Sequence, residues 1–258
     1  MSDNELFDIR GKVAVVTGGT RGIGYMIAEG LVKAGVRTYV VSRKAAACVE
    51  AEARLKQFGE AIGITADLSD ITELEAFAAE IRRREPKLHI LVNNAGATWG
   101  APLEEFPVSG WDKVMNLNVR SIFFLTQKLI PTLRAAASED DPARVINIGS
   151  VDGLMVSGMH HYSYSASKAA LHHLTRQLAK DLGPENVSVN AIAPGPFETK
   201  MMAHTLKTNG DAIVSGIPRR RIGKASDAAG AVIFLSSAAS SYVTGAILPL
   251  DGGLSTTR

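Results

Sequence analysis

Tyr164 and Lys168 stand four residues apart in Tyr164-Ser165-Ala166-Ser167-Lys168, a spacing that puts both side chains on one face of a helix. A phenol is a weak acid, with an ordinary pKa of about 10, and a cation held beside it favours the phenolate. A tyrosine so placed can give a proton to a carbonyl oxygen or take one from an alcohol. Tyr162, six residues from Lys168, turns to another side of the helix. The competing reading is a solvated Tyr–Lys pair, because short motifs match by accident. Ser150, fourteen residues before Tyr164 and just past an apolar run, is in position to hydrogen-bond a substrate oxygen, although a serine ending a strand is more often a plain turn residue.

The second chemical signal is Thr17-Gly18-Gly19-Thr20-Arg21-Gly22-Ile23-Gly24. An apolar run, Lys12 to Val16, precedes it and reads as a buried parallel strand. Ile23, Ile27, Leu31 and Val32 follow at helical spacing. Strand, glycine-rich turn and helix together form a phosphate cradle. Gly18 permits the tight turn, Gly22 allows close approach to a pyrophosphate, Gly24 lets the helix pack on the strand, and the helix N-terminus offers free N–H groups to the anion. The next strand, Arg37 to Val41, runs into Ser42-Arg43-Lys44 with no acidic residue. A site selective for NAD commonly places Asp or Glu there for the ribose 2′-hydroxyl. Arg43, with Lys44, Arg21 and Ser42 beside it, instead suits a 2′-phosphate, so NADP(H) is the expected cofactor.

The remaining elements follow in order. Ala61 to Thr65 reads as a strand, Ile71 to Arg84 as a helix, and Asp67 between them as a cap or turn residue. Leu88 to Val92 is a strand that ends in Asn93-Asn94-Ala95-Gly96. Ser109 to Ala137 reads as one long helix with Asn118 inside it, a mildly unfavourable position for an Asn and on a bland reading an exposed one. Arg144 to Ile148 and Ser188 to Ile192 are strands, Ala225 to Ser236 a helix, and Ala246 to Leu250 the last strand. Between Lys200 and Pro218, with Met201 and Met202, the pattern is irregular; a long loop inside a compact domain suggests a mobile lid, spanning about 197–218. His160-His161 and His172-His173 do not converge on one helical face, and no acid or cysteine joins them at ligand spacing, so no metal is expected. His160 or His161 is left to line a substrate mouth.

The chain has 258 residues, 46% hydrophobic and 21% charged, which is ordinary for a globular protein with one large core. A net charge of +2 gives no electrostatic case for nucleic acid or membrane. Arg82 to Arg84 and Arg219 to Arg221 read as solvated faces; for Arg219 to Arg221 the sharper reading is the edge of an anionic substrate site. Cys48 is the single cysteine, which excludes an internal disulfide and fits a cytoplasmic location. No apolar core of a signal peptide and no membrane span is evident.

The spacing Gly18-x-x-x-Gly22-x-Gly24 departs from the usual dinucleotide fingerprint and resembles the T-G-x-x-x-G-x-G signature of the short-chain dehydrogenase/reductase family. Asn93 to Gly96, Asn118, Ser150 with Tyr164 and Lys168, and Pro194-Gly195 match that family in order over nearly the whole chain. Asn93 to Val119 and Arg144 to Gly153 look like bacterial 3-oxoacyl reductases, including the branch linked to rhamnolipid synthesis. The resemblance implies a single-domain, doubly wound Rossmann fold over 1–258, with a parallel sheet of about seven strands and helices on both faces, commonly a homotetramer built on the last strand and two long helices. It implies Asn118, Ser150, Tyr164 and Lys168 as the catalytic set, with Asn118 anchoring a proton-relay water. It brings Asp67 and Leu68 to the adenine, Asn94 with Ala95 and Gly96 to the adenosine ribose, and Lys168 to the nicotinamide ribose. Pro194, Gly195, Phe197 and Thr199 pass the nicotinamide, with Phe197 near the ring and Thr199 near the carboxamide. Asp152 is unexpected, since relatives often carry a small apolar residue there; it would select a polar substrate or face water. The implied activity is reduction of a ketone with NADPH, foremost a 3-oxoacyl thioester. The alternatives are an NADP-dependent alcohol or sugar-acid dehydrogenase and a non-catalytic NADP(H) sensor.

Overall fold

The computed structural model describes residues 6–156, 158–199 and 202–257, with backbone alone for 203–206. The strands are β1 Val13–Thr17, β2 Arg37–Ser42, β3 Ala61–Thr65, β4 Ile90–Asn93, β5 Ala143–Ile148, β6 Val187–Pro194 and β7 Ile247–Leu250. All pair in parallel in one sheet, in the order β3-β2-β1-β4-β5-β6-β7. The strand order reverses between β1 and β4, and in such sheets the crevice at that point, beyond the carboxyl ends, is where ligands bind. The helices are α1 Gly22–Lys33, α2 Ala45–Leu55, α3 Ile71–Arg84, α4 Val108–Met115, α5 Ser121–Ala136, α6 Tyr162–Leu182, α7 Ala203–Gly216 and α8 Ala225–Ser236. None among the described residues is long and apolar enough to cross a membrane.

Alternation along the strands builds two cores. Ala14 and Val16 face Ile27 and Leu31 of α1 and Val232 and Leu235 of α8. Val15, between them, faces the opposite layer of Leu74 and Phe77 from α3, Leu125 and Leu129 from α5 and Leu178 from α6. A strand covered on both faces must be apolar throughout, which is why β1 lacks a polar face. Helices α1 and α8 cross closely at Gly30, where a Cβ would lie 2.4 Å from that of Ala229.

Two elements differ from the sequence expectation. The long helix over Ser109 to Ala137 is interrupted by a π-helical turn, Asn116–Arg120, between α4 and α5; such a turn inserts one extra residue and is frequent at functional sites. The stretch Lys200 to Pro218, read as irregular, contains α7, bent at Asn209 (φ −133°, ψ 20°); Asn209-Gly210 breaks the periodicity and hides the helix. Lys200 and Met201 lie outside the described residues. Asp67 takes the turn alternative, accepting from the N–H and hydroxyl of Ser69, while Asp70 caps α3 by accepting from the N–H of Thr72 and Glu73.

Candidate active site

The end of β5 and the start of α6 bring three of the expected residues together. Gly149 N–H continues the ladder to Ile192 O at 2.7 Å, and Ser150 then opens a tight turn over Val151–Gly153. The Ser150 hydroxyl lies on the Tyr164 phenol, where it favours the phenolate. Lys168, 4% exposed, sits with its ammonium 5.5 Å from the Tyr164 ring centre and donates to Ile148 O at 2.7 Å. Tyr162 lies on another face as expected, its ring edge-on to Phe106 at 5.7 Å and its hydroxyl 3.1 Å from His160 Nδ1.

Burial governs both ionisable groups. It pushes the Tyr164 phenol up to about 12; the Ser150 hydrogen bond opposes this and the Asp152 carboxylate adds to it. Burial pushes Lys168 down to about 8, with Asp152 pulling it back up. The sequence expectation that Lys168 lowers the phenol is therefore not met in the protein alone: burial raises the phenol, and the group that opposes the rise is Ser150.

Asn118 is fully buried, not exposed. Its Oδ1 accepts from Ala97 N at 2.8 Å, and its Nδ2 donates to Ala97 O at 3.0 Å and Ser167 Oγ at 2.9 Å. Ser167 donates in turn to Tyr164 O at 2.7 Å. Asn118 thus clamps the loop after β4 to the helix that carries Tyr164 and Lys168.

Two features escaped the sequence reading. His161 Nε2 lies 3.0 Å from Asp152 Oδ2, and the His161 ring lies 5.3 Å from that of Tyr164, tilted by 42°. His172, one turn beyond Lys168, packs beneath the Ser150 turn: a Cβ on Gly149 would come within 2.1 Å of its ring and one on Gly153 within 2.7 Å. Burial lowers His172 to about 4, so it is neutral. The spacing of Lys168 and His172 was a usable signal; the Asp152–His161 contact crosses a loop and has none. Among the described residues no group of three or more His, Cys, Asp or Glu is gathered to hold a metal.

The glycine-rich turn lies at the carboxyl end of β1. Gly18 (φ +64°) and Gly22 (φ +55°) occupy the left-handed region, which favours glycine. Gly24 abuts Asn94 and Gly18: a Cβ there would lie 2.3 Å from Asn94 Nδ2 and 2.4 Å from Gly18 O. Asn94 Nδ2 also donates to Thr17 O at 2.8 Å, and the N–H groups of Asn94 and Ala95 both donate to Thr17 Oγ1 at 2.9 Å. Asn94 therefore braces the turn, and Gly96 lies beside Asn118. Helix α1 begins with no side-chain cap and no acid in its first turn, so its first N–H groups, Ile23 and Gly24 among them, are available to an anion. The exposed Arg21 flanks that end, next to the partly buried Thr20.

At the end of β2, Arg43 is mostly exposed and 3.7 Å from Asp67 Oδ2, a pair worth little in water. Ser42 Oγ accepts from Lys44 N at 3.4 Å. Leu68 is buried, its side chain in the core layer with Leu74. Beyond β6, Pro194 and Gly195 turn against Asp251, and Thr199 reaches back to within 3.5 Å of a Cβ placed on Gly22. Phe197 differs from expectation: its ring is buried against Gly223 in the core. The cradle, the uncapped helix end and the basic end of β2 suit a phosphorylated dinucleotide.

The chain matches the family model described as Enoyl-(Acyl carrier protein) reductase over residues 18–255. It is 47% identical to the rhamnolipids biosynthesis 3-oxoacyl-[acyl-carrier-protein] reductase of Pseudomonas aeruginosa, over 96% of this chain and 97% of that protein. The crystal structure of the Pseudomonas aeruginosa RhlG/NADP active-site complex superposes with a TM-score of 0.94 at 46% identity, covering 97% of this chain and 99% of that one. A gluconate 5-dehydrogenase of Gluconobacter oxydans is 34% identical over 98% of each chain. On this match of sequence, sheet order and site, the chain belongs to the short-chain dehydrogenase/reductase family.

Proposed function

We propose that this protein is an NADPH-dependent carbonyl reductase and that its substrate is a 3-oxoacyl thioester. The observation that carries the reading is Tyr164 set between the buried Ser150 hydroxyl and the buried Lys168 ammonium, combined with the 47% identity to a 3-oxoacyl reductase. Bound NADPH supplies the hydride, and that chemistry belongs to the cofactor. The chain does the rest. Ser150 and Tyr164 bind the carbonyl oxygen and stabilise the charge that grows on it. Tyr164 gives that oxygen its proton; an alkoxide is a far stronger base than a phenolate, so the transfer runs downhill. Lys168 keeps a positive charge beside the phenolate left behind and has two further N–H groups for the nicotinamide ribose. Both amide hydrogens of Asn118 are engaged, so a relay water at Asn118 would donate its hydrogen bond to an oxygen: the side-chain Oδ1 or the main-chain carbonyl in the π-turn.

Two observations favour a thioester over a sugar acid. Asp152 places a carboxylate two residues from Ser150, which repels an anionic substrate. The loop between Ser150 and Tyr164 exposes the apolar Leu154, Val156 and Met159. Arg43 and Arg21 support NADPH over NADH, since a charge-assisted contact to the 2′-phosphate is worth about 1.5–3 kcal/mol. A cytoplasmic homotetramer completes the reading, supported by the apolar Val108, Trp111 and Phe123 exposed on α4 and α5.

The test is oxidation of NADPH and NADH with a short 3-oxoacyl thioester, beside oxidation of gluconate with NADP. Thioester turnover at least about tenfold better with NADPH is expected. Gluconate turnover without thioester turnover would replace the substrate assignment by the sugar-acid reading. Tight NADPH binding with neither activity would favour a sensor.

A further inference from the structure

We propose that Asp152 and His161 are positioning residues of this site: their carboxylate–imidazole contact ties the Ser150 turn to the start of α6 and sets a fixed negative charge beside Tyr164 and Lys168. The inference rests on the reductase reading of the same site.

The geometry places the pair between the two elements that must stay in register. Asp152 N–H donates to Ser150 Oγ at 3.2 Å, so Asp152 is bonded to the Ser150 side of the site. His161 stands at the entry to α6, and its carbonyl accepts from Tyr164 N at 3.0 Å and Ser165 N at 3.1 Å, so His161 belongs to the Tyr164 side. The 3.0 Å contact between them closes a loop around the neighbouring Ser150 and Tyr164 hydroxyls. Both side chains are largely buried, 17% exposed for Asp152 and 10% for His161, so water screens the pair poorly. The His161 ring against the Tyr164 ring limits the phenol's freedom to swing out of line.

The charge effect has a definite sign. The groups that face Asp152 are Ser150 from the end of β5, His161 from the loop, and Tyr164 and Lys168 from α6; His172 packs on Gly149 and Gly153 of the same turn, with Arg176 acting on it from one turn further along α6. His172 is kept neutral by burial. Asp152 raises both Tyr164 and Lys168. Reduction needs the phenol protonated and the ammonium charged, so the active form is the acid form and activity falls as pH rises through the Lys168 pKa. Without the Asp152 charge, burial acts on Lys168 unopposed and the ammonium is lost closer to neutrality.

The test compares the pH profile of kcat/KM for thioester reduction with the pH dependence of the NADPH dissociation constant, read by fluorescence, in the wild type and in Asp152→Asn. The alkaline limb of the wild type is expected near 8, and that of Asp152→Asn about one pH unit lower. The ratio of variant to wild type then falls about tenfold as the pH rises through both limbs. Loss of packing alone would lower activity evenly across pH. His161→Ala should lower kcat at every pH, and His161→Gln, which keeps an N–H for Asp152, should restore most of it. Asp152→Ser carries the same test if Asp152→Asn does not fold. Limbs of Asp152→Asn that coincide with the wild type in both readouts, or His161→Gln no better than His161→Ala, would overturn the proposal. A wild type that turns over no thioester would instead sink the reductase reading, and the limb in NADPH binding would still decide the role of Asp152.

Discussion

Burial acts in opposite senses on the two ionisable groups of the site, lifting Tyr164 to about 12 and dropping Lys168 to about 8. At neutral pH the phenol keeps its proton and the amine is still mostly charged, which prepares the protein to donate a proton rather than to accept one. Replacing Tyr164 by Phe keeps the ring that His161 packs on and removes only the hydroxyl. A positioned general acid contributes about 100- to 10,000-fold, so Tyr164→Phe should lower kcat by at least about 100-fold. NADPH affinity should stay within about threefold, because the cradle at Gly18–Gly24 is untouched. Steady-state rates beside a fluorescence titration check this, and near-normal turnover would remove Tyr164 from its role. At this scale the sequence was legible where helical spacing carries the message, as with Tyr164 and Lys168. It was silent where the partners are joined by a loop, as with Asp152 and His161, and misleading at Asn118, whose polarity suggests exposure and whose burial depends on Ala97 and Ser167 arriving from elsewhere.

Between residues and molecule, the elements hold the crevice open by small approach distances. Gly24 is one of the tight ones, with Asn94 and Gly18 filling the space a side chain would need. Gly24→Ala cannot be absorbed by rotating a flexible neighbour, because Gly18 O is backbone and Asn94 is already bonded to Thr17. Overpacking of this kind costs about 1–3 kcal/mol. Here the strain falls on the turn that would receive the pyrophosphate, so NADPH affinity should drop by more than about tenfold while the fold survives. Calorimetric titration together with thermal denaturation checks both halves; unchanged affinity would mean that the α1 end is not the phosphate site. Elements with clear edges were readable: β3, α3 and α8 occupy the expected residues, with basic residues in the last turn of α3. The π-turn and α7 were not, because a one-residue insertion leaves the apolar period almost unchanged, and Asn209-Gly210 interrupts a helix that tertiary packing sustains.

Across the whole molecule, the edge of the sheet opposite the crevice is fastened by charge rather than by glycine. Asp141 accepts from Lys12 Nζ at 2.6 Å and from Arg144. The same two cations donate to the last carbonyls of the α8 end, Lys12 to Ser236 O at 3.1 Å and Arg144 to Ser237 O at 2.9 Å, where the helix dipole welcomes positive charge. One carboxylate thus joins the start of β1, the start of β5 and the end of α8. Arg144 is 1% exposed and Lys12 8%, so Asp141→Asn would leave two buried cations without an anion. Breaking a buried pair costs about 3–5 kcal/mol; Asp141 itself is half in water, which reduces that to about 2–3 kcal/mol. For a chain of this size the melting temperature should fall by about 4–12 °C. The cations beside Asp141 outweigh its partial burial and hold its carboxyl below the usual range. Its stabilising contribution is therefore complete above the unfolded carboxylate pKa, and fades as the pH falls through the lower folded value. The gap between wild type and Asp141→Asn should narrow on acidification. Ser150 lies beyond the far end of β5, about 20 Å from Arg144 at the rise of an extended strand, so kcat at 25 °C should hardly change. A melting temperature equal to the wild type at pH 7, or a loss of kcat as large as the loss of stability, would show that the two edges of the sheet are not independent in this way.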